Sequence, residues 1–326
     1  MPSPRYRVGF VGAGGVATRH AAVLSEFSDV TIAGVVDPNP DSAKALAEQS
    51  GATVEETVES LLSLELDAVY VCVPPFAHGP AETAVLAAGV PLFVEKPLGL
   101  DTELPAQLAA QIVAADVVTG VGFHWRYSAA VEKARAALAG RPVSLVSGSW
   151  LDKVPPVGWW PRRDGSGGQL VEQSVHVVDL ARVLVGEVTE VYAAADATPP
   201  DVPGADVDGS AAATLRFANG AVGTLSTTCR LGWKHRAALE LYADGVAVAI
   251  SEDGCEVRTA DGHEWHPVDP MDAKRAVDRA FLDAVGGDRS GLLVDYPDAL
   301  VSHQLACALA VSAAERRPVE LAAADV

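Results

Sequence analysis

Three groups of residues in this 326-residue chain have types and spacings suited to chemistry. Glu95-Lys96-Pro97 closes an apolar run. An ammonium at the carboxyl edge of a parallel sheet can polarise a substrate oxygen, and its pKa falls if it is desolvated or set beside another cation. Glu172, His176 and Asp179 stand at i, i+4 and i+7, on one face of a helix expected from about Gln169 to Val185. Val171, Val175, Val178 and Leu180 fill its other sides. Charged groups are seldom buried unless paired, so this stripe reads either as a buried His held by structural carboxylates or as a general acid-base centre. The third group is the turn Gly12-Ala13-Gly14-Gly15-Val16-Ala17, which follows a strand and opens a helix, with Asp37 about twenty residues further on.

That turn has the form of a dinucleotide site. Gly12 permits a tight turn, Gly14 lets backbone approach a pyrophosphate, and Ala17 is small enough for close helix-strand packing. Gly15 and Val16 begin the helix, whose first N–H groups and dipole favour phosphate. Asp37 would accept from the adenosine ribose hydroxyls and repel an added 2′-phosphate. The following Pro38-Asn39-Pro40-Asp41 offers no Arg or Lys to hold such a phosphate, so the expected cofactor is NAD rather than NADP.

The elements that must position these groups follow from periodicity. Residues 5–11, Val30–Val36, 68–73, 90–95 and 117–122 read as strands. They alternate with helices at 16–27, 41–49, 55–64, 81–88 and 104–115. Beyond them come a helix at 128–138, a strand at 143–150, a turn-rich segment from Pro155 to Gly168, and the helix at 169–185. Six strands in succession (190–197, Ser210–Phe217, 221–228, 237–242, 245–250, 256–259) and two closing helices at 273–285 and 298–314 complete the chain. Asn219-Gly220 and Asp244-Gly245 read as two-residue hairpin turns with positive φ at both positions. The expected class is α/β. A doubly wound parallel Rossmann sheet occupies 1–122, and an α+β domain with a large, open, mainly antiparallel sheet occupies 123–326. The last helix is expected to pack back on the first domain.

Composition excludes several classes. With 24 Lys and Arg against 43 Asp and Glu the formal charge is −19, which repels nucleic acid and anionic membrane surfaces. No apolar run reaches the roughly 18 residues of a membrane span, and no leader is apparent, so a cytoplasmic location is expected. Cys72, Cys229, Cys255 and Cys307 are too scattered for a zinc or disulfide framework. His263-Glu264-Trp265-His266 lacks the spacing that puts two His on one helix face, so no metal site is expected.

The glycine turn, Pro74-Pro75-Phe76-Ala77-His78, Glu95-Lys96-Pro97, the stretch from Gly122 to Tyr127, and Gly167-Gly168 through His176 and Asp179 together resemble the glucose-fructose oxidoreductase / inositol dehydrogenase / MocA family. The resemblance implies an enzyme oxidising or reducing a sugar, inositol or other polyol by hydride transfer. Lys96 and His176 would be its catalytic pair, and Pro74, His78 and Glu95 would lie along the cofactor. It also implies a homo-oligomer, dimer or tetramer, built on the open sheet. Where the family has Asp four residues before the His and Gly two before it, this chain has Glu172 and Ser174. Glu172 is therefore either the orienter of His176 or a ligand of a substrate hydroxyl. His124, Arg126, Trp159, Trp160, Arg162 and Asp179 are candidates for the sugar pocket. Two other functions use the same turn: glycoside cleavage through transient oxidation, and a cofactor-binding sensor without catalysis.

Overall fold

The computed structural model describes residues 6–321, which divide into two compact units. The first comprises 6–99, 103–124 and 274–300; the second comprises 100–102, 125–273 and 301–321.

The first unit opens with β1 (Tyr6–Val11), α1 (Gly15–Leu24), β2 (Val30–Val36), α2 (Pro40–Ser50), β3 (Thr53–Val54) and α3 (Val58–Leu62). It continues with β4 (Ala68–Val71), α4 (Pro80–Ala87), β5 (Leu92–Val94), α5 (Glu103–Ala115) and β6 (Thr119–Val121). The strands form a parallel sheet in the order β3-β2-β1-β4-β5-β6. Val8, Phe10, Val35, Val69, Val71 and Phe93 are fully buried, the near-continuous apolar signature of strands covered on both faces. The chain order reverses between β1 and β4, and a ligand of such a sheet binds beyond the carboxyl ends of the strands at that switch point.

The second unit contains α6 (Ala129–Leu138), β7 (Val143–Leu151), α7 (Arg163–Ser166), α8 (Gln169–Glu172) and α9 (Val175–Val185). Its strands β8 (Val188–Asp196), β9 (Ser210–Phe217), β10 (Val222–Thr228), β11 (Arg236–Ala243), β12 (Val246–Ser251), β13 (Gly254–Thr259) and β14 (Gly262–Pro267) follow. After α10 (Pro270–Val285) and α11 (Tyr296–Glu315), β15 (Val319–Glu320) closes the description. The sheet runs β14-β13-β12-β11-β7-β10-β9-β8-β15, antiparallel except between β10 and β7. In β9 and β10 burial alternates residue by residue, which is a sheet covered on one face only. Helix α9 lies on β7 and β11. Gly148 permits that approach, because a Cβ there would stand 2.7 Å from Val177 Cγ1.

Three expectations are corrected. The penultimate helix, not the last, is the one whose body belongs with the first unit. Phe281 of α10 packs edge-on to Tyr70 and Phe93, while Arg275 and Arg279 pair with Glu26 and Asp29. Both hairpin turns are left-handed at the glycine alone, Gly220 (φ +90°) and Gly245 (φ +74°), so neither is the two-position mirror turn. Strand β14 was not anticipated, because its exposed His and Glu residues show no apolar alternation.

The glycine turn separates conformational from steric need. Gly12 has φ +93°, and a Cβ on it would meet Cys72 O at 2.4 Å, whereas a Cβ on Gly14 or Gly15 meets open space. Gly12→Ala is expected to lower unfolding free energy by about 2–4 kcal/mol. Gly14→Ala should stay within about 0.5 kcal/mol. Urea midpoints check both, and equal losses would contradict this assignment.

Candidate active site

The dinucleotide end of the first unit is built by three backbone hydrogen bonds. Gly12 N donates to Val36 O (2.8 Å), which closes the turn against β2. Asp37 then accepts from Ala13 N through Oδ2 and from Asn39 N through Oδ1, each at 2.7 Å. No side chain caps the start of α1, where Gly14, Gly15 and Val16 are exposed and Ala17 is fully buried. Open space above the two glycines, uncapped N–H donors and an acid at the end of β2 suit the pyrophosphate and ribose of NAD.

Pro74 is half-buried just beyond β4. His78 is buried, and its Nδ1 pairs with Glu82 Oε1 at 2.5 Å while Gly79 N donates to Glu82 Oε2. Burial would raise the Glu82 pKa, but His78 and the Gly79 N–H hold it below the usual carboxylate range. His78 is thus tied to the start of α4.

Glu95 is buried and Lys96, the next residue, is half-buried. Glu95 Oε1 accepts from His20 Nε2 (2.9 Å) and lies 3.5 Å from Arg19 Nη2; Oε2 accepts from Lys96 N (3.1 Å). Burial acts to raise the Glu95 carboxyl, but His20, Arg19 and Lys96 outweigh it and bring it down to about 2. His20 Nδ1 pairs with Asp278 Oδ1 at 2.7 Å. Burial would lower the imidazole, yet Asp278 and Glu95 lift it to about 9. Burial also raises Asp278, which makes the proton between that pair a shared one. His124 is pulled down to about 3, first by burial and then by the Arg19 cation, and stays neutral at physiological pH.

In the second unit, the expected continuous helix is widened at Gln173-Ser174. Ser174 N donates five residues back to Gln169 O, and the Ser174 hydroxyl donates to Leu170 O. One π-type turn therefore separates Glu172, at the end of α8, from His176 on α9. The i, i+4 spacing assumed 3.6 residues per turn, so it does not place these two on one face. Glu172 Oε2 accepts from Trp160 Nε1 (2.6 Å). Trp160 is fully buried beside Val207 and Cys229, with Trp159 packed against them. Arg162 is exposed and forks onto Asp164. The aromatic and basic residues of the turn-rich segment thus form a small core and a surface pair.

Sequence reasoning missed the neighbours of His176. The rings of Trp125, Trp150 and His176 form a near-parallel triangle with centroids 5.8, 6.0 and 5.9 Å apart, all three buried. The two indoles set the plane of the imidazole. Trp125 lay within a stretch already singled out; Trp150, at the end of β7, gave no signal. Arg126 Nε and Nη2 donate to Asp179 Oδ2 (2.9 Å) and Oδ1 (2.6 Å), and Ser302 Oγ also donates to Oδ1. This fork is buried on both sides.

Among the described residues no group of three or more His, Cys, Asp and Glu is placed to hold a metal ion, and no helix is long and apolar enough to cross a membrane. The four cysteines are free and buried.

Two measurements test this electrostatic picture. Asp179→Ala strands the buried Arg126 charge and should cost about 3–5 kcal/mol, seen as a lower urea midpoint; a loss under 1 kcal/mol would contradict a buried fork. The second is stability against pH. His20, raised to about 9, adds stability that is complete below 6.5 and lost as pH rises through 9. His124, lowered to about 3, and Glu95, lowered to about 2, both make stability fall on acidification, from about 6.5 and 4.5 downward respectively. The melting temperature should therefore peak near pH 6.5, and a steady rise from pH 6 to 9 would refute the His20 assignment.

Two family models match the chain. One is described as an oxidoreductase family with an NAD-binding Rossmann fold, over residues 6–123; the other is the GFO/IDH/MocA C-terminal domain, over 128–247. An inositol 2-dehydrogenase of Rhizobium meliloti (strain 1021) is 27% identical, with 97% of this chain and 99% of the relative covered. The crystal structure of GenD2 from gentamicin A biosynthesis, in complex with NAD, superposes with a TM-score of 0.87 at 26% identity and covers 99% of this chain and 98% of that one. A levoglucosan dehydrogenase solved with NADH and levoglucosan shares the fold, with a TM-score of 0.84 at 21% identity over 97% and 99% of the two chains. With a parallel Rossmann sheet, a mainly antiparallel second sheet and both domain models matched, the chain belongs to the GFO/IDH/MocA family of NAD-binding oxidoreductases.

Proposed function

We propose that this oxidoreductase transfers hydride between NAD and a hydroxyl-bearing carbon of an inositol, sugar or related polyol, with Lys96 and His176 as its catalytic pair. The observation that carries the reading is Lys96 itself, which follows directly on β5 at the carboxyl edge of the sheet that bears the dinucleotide turn. The names of the inositol and levoglucosan dehydrogenases support the substrate class.

When bound, NAD supplies the hydride acceptor. In the oxidative direction His176 takes the hydroxyl proton, with its ring plane held by Trp125 and Trp150. Lys96 donates a hydrogen bond to the same oxygen as it becomes a carbonyl. Loss of the proton to His176 and of hydride from the carbon balances the conversion of alcohol to ketone. Glu172 supports this site through Trp160. Asp37 favours NAD over NADP.

Leu145 and Val222 sit side by side on β7 and β10, exposed together with Tyr192 on β8. This apolar face supports a homo-oligomer. Free, buried thiols fit a reducing cytoplasm.

The reading is tested by turnover with NAD on myo-inositol and a panel of aldoses and sugar acids at mildly alkaline pH. Lys96→Met and His176→Ala should each lower kcat by about 100-fold or more. Near-normal turnover in either variant would remove that residue from the mechanism. Glycoside cleavage without net NADH would replace a dehydrogenase by redox-assisted hydrolysis.

A further inference from the structure

His20 lies on α1, the helix that begins at the dinucleotide turn, and only 2% of it is exposed. Each ring nitrogen faces a carboxylate, Asp278 Oδ1 at 2.7 Å and Glu95 Oε1 at 2.9 Å. Ionised carboxylates only accept hydrogen bonds, so satisfying both requires both ring nitrogens to donate, which is the imidazolium form. The rings of Tyr70 and Phe93 wall the imidazole at 5.4 and 5.1 Å, leaving it little room to turn.

Glu95 is held as firmly. His20 and Arg19 occupy one oxygen, and the main-chain N–H of Lys96 occupies the other. Gly122 leaves room for the carboxylate, since a Cβ on it would fall 2.4 Å from Oε1. The carboxylate thus cannot swing, and the backbone at Lys96 hangs from it. Of the cations acting on Glu95, His20 comes first and Lys96 last.

We propose that His20 is a positioning residue: its imidazolium neutralises and orients Glu95, so that the adjacent Lys96 ammonium is directed to substrate instead of serving as the counter-ion of Glu95. The assignment rests on the reading of Lys96 as catalytic. It also gives α1 a second task, because the helix that offers its N-terminus to the cofactor carries the group that sets the lysine. Removing the imidazolium leaves a buried carboxylate beside Arg19 and Lys96, and the nearer flexible cation folds back onto it. Asp278 keeps His20 charged and aimed.

The test uses the full-length enzyme. His20→Gln, close in size but uncharged, should lower kcat by at least about 10-fold while the NAD dissociation constant stays within about 3-fold. Under limiting acetic anhydride, with peptide mass mapping, the acylation rate of Lys96 should change by at least about 3-fold relative to the other lysines. Adding Glu95→Gln removes the stranded anion, so the double variant should be no worse than Glu95→Gln alone. Unchanged kcat and unchanged Lys96 reactivity would overturn the proposal. So would loss of NAD binding and melting temperature with Lys96 reactivity unchanged, which marks a merely structural residue. If His20→Gln does not fold, the native protein labelled with 15N-histidine decides: at pH 7.5 both His20 nitrogens should be protonated, and a neutral ring refutes the proposal. Normal turnover in Lys96→Met would defeat the catalytic reading by itself, while the acylation rate would still report whether His20 positions the lysine.

Discussion

A carboxylate buried at the end of a parallel strand constrains the whole first unit. Taking an ion out of water costs several kcal/mol even after relaxation, and the cost is met only by close opposite charge and hydrogen bonds to the remaining lone pairs. Glu95 therefore needs His20 and Arg19, which fixes α1 against the end of β5. A doubly bonded imidazolium then needs a second acceptor, and Asp278 supplies it from α10, a helix 258 residues away in sequence. This explains why α10 is part of the first unit, with Phe281 packed on Tyr70 and Phe93 around the same point. The glycine at 122 completes the site by leaving space for the carboxylate.

What was legible in the chain and what was not divide along physical lines. The parallel strands were legible because burial on both faces leaves uninterrupted apolar runs, and the glycine turn because it needs small residues at fixed offsets from a strand end. The His20 cluster was not: its partners are 75 and 258 residues distant, and one His on an amphipathic helix carries no local mark. Helix 169–185 failed for another reason. Its residue types are helical throughout, but Ser174 bonding back to Leu170 accompanies a widened turn that no 3.6-residue count foresees.

In the second unit one rule had two outcomes. That charge is buried only when paired made Glu172, His176 and Asp179 stand out on an apolar helix. It does not say whether the partner is a substrate or another side chain. For Asp179 the partners are Arg126 and Ser302; for Glu172 one is the indole of Trp160. His176 instead lies among indoles, whose faces hold a ring plane without consuming its nitrogens. An imidazole oriented by packing keeps hydrogen-bonding capacity for chemistry, whereas one oriented by a carboxylate has given up a nitrogen. The same chain thus uses a His between two acids as a fixed charge and a His between two indoles as its proposed base.

Cofactor choice is tied to the turn in a similar way. Asp37 is more than a group that repels a 2′-phosphate: its two oxygens accept from Ala13 N, inside the glycine turn, and from Asn39 N, ahead of α2. These are charge-assisted bonds, about twice as strong as neutral ones. A neutral or smaller residue at 37 would admit the extra phosphate. It would also leave the Ala13 N–H without its acceptor, in the loop whose geometry sets the approach of the pyrophosphate. Selectivity and affinity therefore cannot be altered independently at this position. A change of preference would need a second substitution that restores an acceptor to Ala13 N before any cation is added for the phosphate.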